Sequence, residues 1–167
     1  MAQTEWWQRG PIEGVPVALQ PVAHILLQVH ETVAAFVADH GDTDWNARPA
    51  NVASPAFHLR HMTGVIDRLF TYARGEALVE EQFADLKRER EPLAPGEVGP
   101  ALEALRQRVD DSVEQLRATD PATLGAFRGV GRAQLPSTVI GCLVHGAEHA
   151  MRHVGQLSVT LRVVRGH

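Results

Sequence analysis

The chain of 167 residues holds a single cysteine, Cys142, so no intramolecular disulfide can form and the fold must rest on its core. Lysine is almost absent. Lys87 stands alone among sixteen Lys and Arg residues, and the arginines are dispersed. With a formal net charge of -4 and no basic run, a nucleic-acid partner is not expected. No stretch of about 18 uninterrupted apolar residues occurs, so no membrane span is expected. Met1 to Arg9 lacks the apolar segment of a secretory signal, which leaves the cytoplasm as the expected location. Aromatic residues make up only 5% and charged residues 22%, while 44% are hydrophobic. That is ordinary globular composition, and the length suits one domain over 1–167 with a sizeable core.

Histidine is what the sequence does concentrate. His145, His149 and His153 recur every fourth residue, with Gln156 three further on. Those spacings set all four on one stripe of a helix. A second stripe of Val139, Leu143, Ala150, Val154, Leu157, Leu161 and Val164 lies roughly 90° away, so the histidines border a buried face. Histidines four apart have Cβ atoms about 6 Å from each other and can share one metal ion. His145 and His153, about 12 Å apart along the axis, cannot. The helix therefore supplies a pair, 145/149 or 149/153, and a further ligand must come from elsewhere. The bland alternative is a row of surface or hydrogen-bonded histidines. The motif is not a zinc-protease HExxH, because Ala150 stands where the glutamate would be. It is not a di-iron Glu-x-x-His either, because Met151 follows Glu148 by three. Cys142 lies on the same stripe and reads best as a small buried residue.

The remaining chain resolves into helices. After an irregular arm over 1–16, which should lay Trp6 or Trp7 across the core, apolar residues at helical spacing predict helices near 17–40, 54–75, 101–118 and 135–165. Ser54 followed by Pro55 is a start signal. Asp42, Asp44, Asn46 and Pro49 mark a loop, Pro100 reads as a breaker, and a short helical turn is expected over Glu80 to Arg90. Lys87 to Glu91 reads as a solvated charge run, and nothing reads as a strong strand. Four amphipathic helices favour an all-α bundle. Helix two offers His58 and His61 to the metal, and spacing leaves the two equal. His24 and His30 have no histidine partner and read as structural or exposed.

Two motifs carry a resemblance over nearly the whole chain. Phe57-His58-Leu59-Arg60-His61-Met62-Thr63-Gly64 with Asp67-Arg68-Leu69 resembles the second-helix motif of the DinB/YfiT-like superfamily, and His149-x-x-x-His153-x-Gly155-Gln156 resembles its last-helix motif. Trp7-x-Arg9-Gly10-Pro11 and Leu19-Gln20-Pro21 are similar to a subgroup of that family. The resemblance implies an up-down-down-up four-helix bundle, often dimeric, with a three-histidine metal site. Carried over, the ligands are His61, His149 and His153, while His58 and His145 become supporting or pocket residues. Gln156, one turn beyond His153, is placed to hydrogen-bond a group at the metal or, equally, another helix. The implied cofactor is a divalent transition ion, with zinc or nickel favoured and iron or manganese as further candidates. Relatives include thiol S-transferases using bacillithiol or mycothiol and a maleylpyruvate isomerase. They imply a small-molecule substrate and a low-molecular-weight thiol, although many members have no known activity. Three expectations compete: a metal-dependent thiol transferase, a non-catalytic metal-binding or stress-response bundle, and a structural dimer with incidental histidines. Metal affinity should fall below about pH 6.5 as the imidazoles protonate.

Overall fold

The computed structural model describes residues 4–41 and 43–166. Met1 to Gln3 of the expected arm, Asp42 of the expected loop and His167 lie outside the described residues. The chain is mostly helical: α1 (Gln20–Asp39), α2 (Pro55–Ala73), α3 (Glu80–Arg88), α4 (Val98–Ala118) and α5 (Val139–Arg165). Two short strands, β1 (Phe127–Val130) and β2 (Leu135–Thr138), precede α5. The four long helices share one core, with α1 and α2 each packing on both α4 and α5. Leu26, Leu59, Met62, Ile66, Leu105, Leu143 and Leu157 are fully buried there.

Helix starts follow local chemistry. The Ser54 hydroxyl accepts from the Phe57 N–H, with Pro55 behind it. α4 begins at Val98, earlier than expected, because Pro100 falls in the first turn, where a missing N–H breaks no helical bond. The expected helix over 135–165 is corrected at its start. Leu135–Thr138 pairs antiparallel with Phe127–Val130 instead. Pro136 disfavours helical backbone at Leu135, and the Thr138 hydroxyl caps the first turn by accepting from the Gly141 N–H. Four residues of α5 thus become strand. Its far end stops at Gly166, in the left-handed conformation that glycine adopts freely (φ 79°).

The arm packs on α1. The backbone N–H of Trp6 donates to Gln28 Oε1, and Arg9 lies 4.6 Å over the Trp6 ring while pairing with Glu31. Trp7 is exposed. Val17–Asp39, which includes α1, is long and apolar enough to cross a membrane by length and composition. In the fold, Val22, Ala23, Leu26, Val29 and Val33 of this helix line the core.

Candidate metal centre

α2 and α5 form the most extensive helix pairing, and a glycine lets them approach. A Cβ at Gly146 would stand 3.2 Å from the Phe70 ring and 3.4 Å from Leu69 Cβ, so glycine sets the separation. Across this seam His61 of α2 meets His149 and His153 of α5. His61 Nε2 lies 3.1 Å from His149 Nε2, and His153 Nε2 lies 3.2 Å from the same atom. Ligand nitrogens on a tetrahedral zinc ion with bonds near 2.0–2.1 Å would be about 3.3 Å apart. The three side chains, each half-buried, offer nitrogens within 4.8 Å of one another, a set able to hold one metal ion.

The far side of each ring is tied differently. His61 Nδ1–H donates to Glu89 Oε2 at 2.7 Å, and the ring stacks on Phe57 at 5.1 Å. Glu89 Oε1 accepts from Arg68 at 2.6 Å, and the carboxylate is only 4% exposed. A proton fixed at Nδ1 leaves the Nε2 lone pair of His61 pointing at the other histidines. His153 Nδ1 lies 2.9 Å from Nδ1 of the buried His58. A lone pair at His153 Nε2 therefore requires His153 to donate there and His58 to accept. His149 Nδ1 lies 3.2 Å from Arg152, which also pairs with Glu148.

Burial favours the neutral form of His153, His58 and His149. It pushes the pKa of His153 down to about 3, helped by the neighbouring His61, His58 and His149. It pushes His58 down to about 4, with His61 contributing. His149 is lowered for the same first reason, then by His61 and Arg152. Neutral imidazole is the form that binds a metal.

The site residues expected from sequence thus fall into three groups. His61, His149 and His153 come together. His58 supports His153 from behind. His145 is not one of the converging set: its ring meets His149 edge-on at 5.3 Å, but its side chain is 52% exposed and lies 3.4 Å from Glu148. Gln156 is exposed on α5 with no hydrogen bond among the described residues. Gly155 faces open space. Cys142 is buried with its Sγ near Ser137 Oγ, away from the cluster. His24 bonds Gly10 O and is structural.

Glu89 is the residue that sequence reasoning missed. It sits in the run read as solvated, one residue past α3. The available signal was Leu93, an apolar residue after the charges. Leu93 is buried, and its backbone N–H and carbonyl are both held by Asn46. That anchor turns the segment back onto α2. Gly64 makes room for it, since a Cβ there would lie 2.2 Å from Glu89 Oε1 and 2.6 Å from the Arg68 guanidinium.

A family model described as the DinB superfamily matches residues 25–157. The chain belongs to the DinB superfamily. The match runs from α1 into α5 and takes in all three clustered histidines together with His58, Gly64 and Glu89. No curated protein matches the chain.

Proposed function

We propose that this DinB-superfamily chain binds one divalent transition ion through His61, His149 and His153, and that it is an enzyme of the thiol S-transferase type acting on a small molecule. One observation carries the reading: three histidine nitrogens converge from two helices, with Glu89 and His58 against the opposite nitrogens of two of the rings. Zinc or nickel suits an all-imidazole set best, with iron or manganese next. A three-histidine site leaves a position open, and a divalent ion there supplies a Lewis acid that lowers the pKa of a bound water or thiol.

The chain's own residues do the positioning. Glu89 holds His61 in the tautomer with Nε2 free and keeps its ring angle, backed by Arg68. His58 does the same for His153. Phe57 covers one face of His61 and packs edge-on to His153, with centroids 6.2 Å apart, limiting water on that side. Arg152 and Glu148 are charged side chains beside His149 that can meet a polar substrate.

The proposal extends to a single domain over 1–167, an up-down-down-up bundle, a cytoplasmic location and a homodimer. Val144, Val159 and Val163 stand exposed along α5 and supply apolar area for a partner copy. The functional test is elemental analysis of purified protein followed by a screen of low-molecular-weight thiols against electrophiles. Thiol consumption that disappears on chelation and returns with metal supports the transferase. Bound metal with no turnover in that screen moves the reading to a non-catalytic metal-binding or stress-response protein.

A further inference from the structure

A cavity of about 340 Å³ lies between α2, α3 and α4; Glu89 lines it and none of the clustered histidines does. Its walls differ in character. Leu93, Pro100, Ala101 and Ala104 form an apolar side, and Arg68, Asp67 and Arg108 with Glu89 form a charged one. The charged side has more hydrogen-bond donors than acceptors. Both oxygens of Glu89 are taken, by His61 and Arg68. Both oxygens of Asp67 are taken, by Arg108 and by Gln82. The donors are not used up. Among the described residues, Arg68 gives one nitrogen to an acceptor although its side chain is only 11% exposed. Arg108 gives one nitrogen to Asp67, and its Nε is buried with no acceptor. The other N–H groups of the two guanidiniums have no acceptor among the described residues and can meet an oxygen of a ligand.

We propose that this cavity binds a small molecule carrying one carboxylate on an apolar body. The carboxylate accepts from Arg68 and Arg108, whose planar donor edges suit it. The body lies on Ala101, Ala104 and Leu93. Charge sets the class. Glu89 and Asp67 already neutralise the two guanidiniums, so the site offers hydrogen bonds without a net positive field. A singly charged carboxylate is accommodated, whereas a doubly charged phosphate would face both acidic groups. The volume matches the lower range of small-molecule sites. This inference does not rest on the metal reading.

The test is a titration of the full-length, metal-free protein followed by ¹⁵N NMR, with benzoate, benzamide and inorganic phosphate as separate probes. Benzoate should give saturable shifts at the Arg68 and Arg108 side-chain N–H groups and at the Ala101 and Ala104 amides. The neutral benzamide should not. Arg108→Gln should weaken benzoate about tenfold or more, the loss of a charge-assisted hydrogen bond. Ala104→Phe, which touches none of the ion pairs, should abolish binding by filling the cavity. Wild-type melting temperatures for the two variants would exclude unfolding as the cause. Equal shifts from benzamide, phosphate binding as tight as benzoate, unchanged benzoate affinity in both variants, or no saturable shift at all would each overturn the proposal.

Discussion

Replacing Glu89 with glutamine tests the link between His61 and the core with almost no change of volume. In the wild type the carboxylate accepts from His61 and Arg68 with one oxygen each, at 2.7 and 2.6 Å. Glutamine offers one acceptor and one NH₂, so one of the two partners must meet a donor. If His61 loses its acceptor, the ring can turn or change tautomer and Nε2 no longer faces the cluster. If Arg68 loses it, a guanidinium only 11% exposed is left without its charge partner. Loss of a carboxylate behind a metal-binding histidine lowers metal affinity about 10–100-fold, or ~1.4–2.7 kcal/mol. Breaking a buried pair from one side costs ~3–5 kcal/mol of stability, and the access of Arg68 to the cavity places this case at the lower end. Competition with a chromophoric chelator gives the metal affinity, and denaturant unfolding of the metal-free protein gives the stability. Metal affinity and stability both equal to wild type would refute the role given to Glu89.

Gly64→Ala should reproduce the metal defect, because its Cβ would sit 2.2 Å from Glu89 Oε1, and should cost ~1–3 kcal/mol in a melting experiment. His153→Ala should abolish stoichiometric metal binding while His145→Ala leaves it intact, as read by elemental analysis. The opposite outcome would make 145/149 the true pair. The metal-free protein should lose stability on acidification. The unfolded chain protonates His58 near pH 6.5 and the folded chain only near 4, so stability is fully present above 6.5 and falls as pH drops towards 4. By pH 5 this one residue accounts for about 2 kcal/mol, measurable by urea unfolding at the two pH values and expected to shrink in His58→Gln. For the same reason the expected decline of metal affinity below pH 6.5 is opposed at His149 and His153, whose lowered pKa values keep them neutral in more acidic solution.

The helices were legible because their cause is local. Apolar spacing, the Ser54–Pro55 start and the Gly166 stop all act within a few residues. The hairpin was not, because Leu135–Thr138 becomes strand only by pairing with Phe127–Val130, and its polar-rich tetrapeptide carries no alternation of its own. At the site, spacing alone left His58 and His61 level and left both pairs on α5 open. The family motif selected His61, His149 and His153, and these are the three that converge. The supporting residues were hidden for a physical reason. Glu89 reaches His61 from 28 positions away, so nothing near it in sequence marks it as buried. Gln156 shows the opposite case: it lies in register with the histidines, yet it is exposed while Val154 and Leu157 of the same turn are buried.

Metal content after growth in metal-replete medium, combined with X-ray absorption at the metal edge, tests the central claim most directly. The account predicts one divalent ion per chain with imidazole nitrogens at about 2.0–2.1 Å if the ion is zinc, and loss of that ion in His61→Ala, His149→Ala and His153→Ala while the fold persists. A folded wild type that carries no metal, or one whose metal survives all three substitutions, would contradict it and leave the histidines as structural residues.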